Sequence, residues 1–275
     1  MPTDADPSLP DQLDQRIDAA ASALIEARRT RVPLVGLSAT VVPPDVVTGE
    51  RIDDRVAARI GWDVSGWKIG CTSEHAQRVL NSPGPMAGRV YTVLESTAEA
   101  APVLSEDELM VEPLLEGEFA FTIGQDLTPD GGPYDRAAVK GAVADVRPAI
   151  EIVGGRFSGF TSHPIASIVA DAGSNTALVL GPAVGDIDLD RLVDVAGAMV
   201  VDGEVVGSGT GADVLGDPIE ALRWLVDNLV GRGITLAAGQ VVTTGTLTQL
   251  APFPPGATAV ARFDGLGEAS VRRPA

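Results

Sequence analysis

The sequence predicts an α+β protein, with a small helical N-terminal part carried on a larger β-rich body. Three observations carry this reading. Apolar residues recur at helical spacing between Asp11 and Ile60. From Ala87 onward short apolar runs alternate with Gly, Pro and Asp. The 31 glycines and 20 prolines among 275 residues suit many turns and short strands rather than a helix bundle.

Residues 1–10 read as a frayed tail. Asp11 to Arg29 reads as an amphipathic helix, with Leu13, Ile17, Ala20, Ala21, Leu24 and Ile25 on one stripe. Thr30-Arg31-Val32-Pro33 ends it, and residues 34–49 look like loop. Glu50 to Ile60 reads as a second helix. Val64 to Gly70 is a short strand, and Ser73 starts a helix of two turns. This first part is taken as residues 1–70, and the β-rich body as 71–275.

In the body, strands are expected at 88–93, 110–123, 147–153, 164–169, 175–181, 195–206, 240–245, 257–263 and 267–272. Asp202-Gly203 suits a type I′ hairpin turn, and Asp264-Gly265 gives a second hairpin. One helix is expected over 135–145. Another starts at Asp217-Pro218, with Asp as N-cap and Pro at the first helical position, and stops at Gly231 or Gly233.

Composition narrows the function classes. A 45% hydrophobic chain with mean hydropathy +0.18 supplies a sizeable core. The net charge of -18 repels nucleic acid and anionic membrane, so neither is an expected partner. An acidic substrate would therefore need local positive charge at its site. The single cysteine, Cys71, allows no internal disulfide and points to a reducing cytoplasm. The acidic N-terminus has no signal-peptide pattern, and no run of apolar residues is long enough to span a bilayer.

Three carboxylates stand out. Glu116 and Glu118 lie in Leu115-Glu116-Gly117-Glu118-Phe119-Ala120-Phe121, and Glu151 in Pro148-Ala149-Ile150-Glu151-Ile152-Val153. Strand alternation puts Glu116 and Glu118 on one face. Two carboxylates in apolar surroundings repel each other and resist desolvation, and a hard divalent cation removes both costs. A solvated strand face with an unrelated third Glu is the other reading of the spacing.

These residues belong to a longer series. Gly66-Trp67-Lys68-Ile69-Gly70-Cys71-Thr72-Ser73, the Glu116 and Glu151 segments, Ala170-Asp171-Ala172-Gly173-Ser174, Ser208 to Pro218, and Val242-Thr243-Thr244-Gly245 follow in that order. Over residues 15–272 the series resembles the 2-keto-4-pentenoate hydratase and 4-oxalocrotonate decarboxylase branch of the fumarylacetoacetate hydrolase superfamily, lyases of aromatic-compound breakdown. The resemblance implies a mixed β-roll with a small helical N-terminal part. It implies Mg²⁺ or Mn²⁺ bound by Glu116, Glu118 and Glu151, and an unsaturated 2-oxo acid as substrate, whose carboxylate and keto oxygens form a chelate. It also implies a homo-oligomer, with a paralogous hydratase or decarboxylase as a further partner.

Lys68 matches the branch's catalytic Lys, as a cation beside the substrate or a proton donor with a lowered pKa; a snorkelling strand Lys is the alternative. Ser174 matches a family Ser that binds substrate or orders water, or else bonds its own turn. Thr244 and Gly245 match a Thr-Gly near the substrate acid. Asp171 is either a partner behind the ligands or a turn cap. His75 and His163 have no matching metal partners, and Cys71 reads as a small core residue.

One departure bears on the reaction. Hydratases of the branch carry Pro-Asp-Phe-Gly where this chain has Pro85-Met86-Ala87-Gly88. Methionine neither gives nor takes a proton. Water addition needs that proton, whereas loss of CO2 from a vinylogous keto acid needs mainly an electron sink. The departure favours decarboxylase over hydratase. A C–C hydrolase of the acylpyruvase type and a silent or repurposed partner of an active paralogue are the other readings.

Overall fold

The computed structural model describes residues 9–105, 108–185 and 187–275. Most of the expected tail lies outside them. Leu9 and Pro10 instead open the first helix, α1 (Leu9–Thr30), which packs on α2 (Val46–Ile60). Their stripe of Ile17, Ala20, Ala21, Leu24, Ile52 and Val56 closes around Phe157. α2 starts four residues earlier than the sequence suggests, because the Asp45 side chain caps it by accepting from Thr48 N at 2.7 Å. The β-branched pair Val46-Val47 hides that start.

The chain continues through β1 (Gly66–Gly70), α3 (Glu74–Val79), β2 (Met86–Val90), β3 (Val93–Glu95) and β4 (Leu114–Ile123). Next come α4 (Arg136–Gly141), β5 (Val143–Val153), α5 (Ile165–Ala170), β6 (Asn175–Leu180), β7 (Ala196–Val201) and β8 (Glu204–Thr210). α6 (Pro218–Gly231), β9 (Val241–Thr243), β10 (Ala251–Pro252), β11 (Thr258–Phe263) and β12 (Gly267–Arg272) complete it. Eight strands form a mixed sheet in the order β2-β1-β9-β4-β5-β6-β3, with β10 also on β4. The other four form a smaller sheet, β12-β11-β7-β8. β1 pairs with β2 and β9, so this strand of the N-terminal part is woven into the body's sheet.

Two expectations are corrected. Residues 164–169, read as a strand, form α5. Pro164 sets the start, and a six-residue helix whose last five residues are all buried is too short to show its period. The expected 135–145 helix ends at Gly141, and β5 begins at Val143, upstream of the expected 147. The hairpin expected within 195–206 is present: two strands join at Asp202-Gly203, whose φ values of 49° and 88° are those of a type I′ turn.

The main core lies between the two sheets and α6. β4 shows why. Its odd-numbered Leu115, Phe119 and Phe121 are fully buried there, with Phe119 5.2 Å from the Phe263 ring. Its even-numbered residues, Glu116, Glu118 and Ala120, occupy the opposite face. That second face carries the candidate site.

Candidate active site

Register assembles the carboxylates. Glu116 lies directly opposite Glu151 in the antiparallel β4–β5 ladder, and Glu118 is two residues along on the same face. One oxygen from each of the three lies within 4.8 Å of the others. Glu118 and Glu151 are fully buried, and Glu116 is half-buried. Gly245 N donates to Glu118 Oε2 at 2.9 Å, and Asn175 Nδ2 donates to Glu151 Oε1 at 3.1 Å. Glu118 Oε1 and Glu151 Oε2 have no hydrogen-bond partner among the described residues.

Burial lifts all three carboxyl groups above the ordinary range. Glu116 rises to about 7, with Lys68 opposing the rise and Glu151 adding to it. Glu118 goes well up, through burial and then the charges of Glu151 and Glu116. Glu151 rises too, against Lys68 and Asn175. Oxygen-only donors, close spacing and two buried oxygens lacking donors are what a hard divalent cation takes, so the residues fit Mg²⁺ or Mn²⁺.

β1 brings Lys68 alongside, paired with Gly88 of β2 and Thr243 of β9. Its Nζ is 3.3 Å from Glu151 Oε1 and its side chain is buried. Burial works against the ammonium, but Glu151, Glu116 and Glu118 outweigh it and push its pKa up. In the metal-free chain Lys68 is therefore a firm cation, contrary to the lowered pKa entertained from sequence. Three carboxylates, one ammonium and one divalent ion sum to zero formal charge.

The turn at 172–174 presses onto β2. A side chain at Gly88 would meet Ala172 O at 2.1 Å, so glycine permits the approach. This turn carries Ser174, fully buried with Oγ unpartnered among the described residues, and Asn175. Asp171 does not touch the triad. It takes Arg156 N at 2.7 Å and Arg156 Nε, with Arg28 Nη2 at 3.5 Å, and so anchors the turn.

Met86 lies opposite Gly70. A Cβ on Gly70 would stand 2.6 Å from Met86 Cε and 3.1 Å from Lys68 Nζ, so methyl and ammonium share one flank of the site. Behind them Cys71, Ile168 and Val169 form an apolar cluster with Met86. Burial pushes the Cys71 thiol up, which suits a core residue rather than a nucleophile.

Gly245, assigned from sequence to substrate, spends its N–H on Glu118. Thr244 Oγ1 is buried without a partner among the described residues, and so is Thr243 Oγ1. Register puts Thr243, not Thr244, on the face of Lys68. Sequence reasoning missed Thr243 and Asn175. Strand alternation from the core residue Val242 would have pointed to the first; a polar residue opening an apolar strand was the signal for the second. His163 packs on Phe157 at 4.9 Å, remote in role from the carboxylates. Glu74 is 89% exposed and paired with Arg78.

A mixed β-sheet body whose inner face gathers three carboxylates and a lysine defines a protein with an acidic divalent-cation centre. Residues 69–272 match the family model described as fumarylacetoacetate (FAA) hydrolase, C-terminal. The chain belongs to the fumarylacetoacetate hydrolase family, in its 2-keto-4-pentenoate hydratase and 4-oxalocrotonate decarboxylase branch. It is 30% identical over 261 residues to a 2-keto-4-pentenoate hydratase of Paraburkholderia phymatum, covering 92% of this chain and 96% of the relative. It is 34% identical over 218 residues to a 2-hydroxyhexa-2,4-dienoate hydratase of Comamonas testosteroni, covering 79% and 81%. Among solved structures it is similar to 4-oxalocrotonate decarboxylase from Pseudomonas putida G7 complexed with magnesium and adipate. That match has a TM-score of 0.82 at 26% identity and covers 94% of this chain and 98% of the other.

Proposed function

We propose that this protein is a divalent-metal-dependent lyase acting on an unsaturated 2-oxo acid, with decarboxylation of a 2-oxo-enedioate as its main reaction. The observation that carries the lyase reading is the buried Glu116–Glu118–Glu151 cluster with Lys68 at 3.3 Å from Glu151. A divalent ion held by these carboxylates supplies a Lewis acid for the carboxylate and keto oxygens of the substrate.

The chain's own residues do the rest. Gly245 N–H and the Asn175 amide fix two of the carboxylates. Lys68, an ammonium 3.3 Å from Glu151, is placed to offset negative charge growing on the 2-oxo oxygen. The hydroxyls of Ser174 and Thr243 are free to orient the acid end. In decarboxylation the bond to the distal carboxylate breaks, its electron pair runs along the conjugated chain to the 2-oxo oxygen, and CO2 leaves. Met86 and its apolar neighbours favour that step, because they solvate CO2 better than a carboxylate.

Hydration is the second reading, favoured by relatives at 30–34% identity that are named hydratases. It requires a proton on carbon from a group other than Met86, and Lys68 is the candidate. Product analysis separates the two. 2-Oxohex-3-enedioate and 2-hydroxypenta-2,4-dienoate are each supplied with Mg²⁺ or Mn²⁺. Loss of CO2 exceeding water addition is the expected result; robust hydration without decarboxylation reverses the order.

The same reading makes residues 1–70 a small N-terminal part and 71–275 the catalytic part, in a cytoplasmic homo-oligomer, with a paralogous hydratase or decarboxylase as a candidate partner. No helix among the described residues is long and apolar enough to cross a membrane. The edge strand β8 exposes Val205 and Val206, a surface that self-association would cover.

A further inference from the structure

A cavity of about 630 Å³ opens between the end of α1, the start of β1 and the segment after β5. None of Lys68, Glu116, Glu118 and Glu151 lines it. Its size is that of a small-molecule site. We infer that it binds a planar monocarboxylate, with the charged end on Arg28, Arg31 and Arg156 and the flat body against Trp62 and Tyr91.

The cationic end is argued from Arg28. This side chain is more than nine-tenths buried. Its nearest carboxylate, Asp171 Oδ1 at 3.5 Å, already takes Arg156 Nε. Arg28 Nε and Nη2 make no hydrogen bond among the described residues, and neither does the buried Tyr91 hydroxyl. Two buried guanidinium groups thus share one carboxylate. The crowding shows in Arg156, which burial and then the charge of Arg28 bring down to about 10. Arg31, exposed at the mouth, makes no ion pair among the described residues. Asp53, which the charge of Arg28 also reaches, accepts from Arg89 through Oδ2.

The flat end is argued from the aromatic wall. Trp62 is 45% exposed and stands edge-on to Tyr91, with centroids 5.8 Å apart and planes at 78°. Arg28 lies over the Tyr91 ring at 5.3 Å. A large exposed indole at the mouth of a cavity offers a stacking surface beside the cations. Asp63 and Glu108 also line the cavity. They oppose a second negative charge and so select a monoanion over a dianion or phosphate. Whatever binds bears on Arg156, which also donates to the Asn175 carbonyl at 2.7 Å.

Calorimetric titration of the full chain with benzoate, in the presence of Mg²⁺, tests the inference. Saturable one-site binding is expected, equal in wild type and Glu116→Gln. Loss of one charge-assisted contact or of the stacking face should weaken it about tenfold in Arg31→Gln and in Trp62→Ala. Benzyl alcohol, without the charge, and acetate, without the ring, should each bind about tenfold more weakly on the same grounds. Absence of saturable binding overturns the inference. So does binding lost in Glu116→Gln but kept in both cavity variants, which assigns benzoate to the carboxylate centre. Acetate binding as tightly as benzoate overturns it as well.

Discussion

The molecule holds two buried charge clusters, one around Asp171 and one around Glu118 and Glu151, and they are built on opposite plans. Around Asp171 the carboxylate is surrounded by donors: Arg156 N and Nε, with Arg28 beyond. Around Glu118 and Glu151 three carboxylates meet one ammonium, and two buried oxygens find no donor among the described residues. The first cluster has cations to spare and braces the turn at 171–175. The second is short of positive charge by two. A buried deficit of that size is costly to a fold and useful to a cation site. The balance of charge separates a structural ion pair from a functional one better than burial does, because Asp171, Glu118 and Glu151 are all fully buried.

Removing one carboxylate from each cluster tells the two plans apart. Glu116→Gln or Glu118→Gln should leave the fold intact, abolish divalent-ion binding, and cost at least about 1,000-fold in turnover, several kcal/mol of charge stabilisation. Asp171→Asn should do the reverse. It should keep the ion but lose about 3–5 kcal/mol of stability, since two buried guanidinium groups lose their partner. Calorimetric ion titration and urea melts read the two effects apart. Equal stability losses in both variants would collapse the distinction.

Lys68→Met comes next, with the ion retained and turnover down about 100-fold, as for a positioned cation or proton donor. A loss below about threefold would make Lys68 a structural counter-ion only. Met86→Asp should shift the product ratio toward hydration, or make hydration detectable where it was absent. If Asp there only lowers stability, Met86 is a wall and nothing more.

The pH response sharpens the contrast. Glu116 sits near 7 when folded against an ordinary 4.5, and Glu118 and Glu151 are raised with it. The folded chain holds these protons more tightly than the unfolded chain. That stabilisation is complete below about pH 4.5 and is lost as pH rises through about 7. The melting temperature of chelator-treated protein should fall across this window, and Mg²⁺ should restore most of it on the alkaline side. Light scattering gives the smallest test, with at least a dimer expected.

Much of this was legible in the sequence, for reasons that differ by element. β4 announces itself because Leu115, Phe119 and Phe121 alternate with Glu116 and Glu118, a period of two that no helix sustains. α6 shows its start in Asp217-Pro218. α5 is hidden because Ala166 to Ala170 are all buried, which erases the period that distinguishes a helix from a strand. The three Glu and Lys68 were nameable one by one. The resemblance also joined the three Glu at one ion, but the pairings that bring them and Lys68 together, β1 in parallel with β9 and Glu116 opposite Glu151, are written in no local pattern. Asn175, Thr243 and the real employment of Gly245 followed only from those pairings.

The alternation of β4 has a consequence for how such a protein can change. Its odd-numbered side chains answer to the core and its even-numbered ones to the chemistry, on one continuous backbone. Exchanges at positions 116 and 118 leave the packing of Leu115, Phe119 and Phe121 on the other face in place, so new reactivities can be sampled there without reworking the main core. An insertion or deletion within the strand has no such licence: it would turn Phe119 toward the cation site and a carboxylate into the core at a single stroke. Diversification of this scaffold should therefore proceed by substitution along the strand, with length variation confined to the loops on either side.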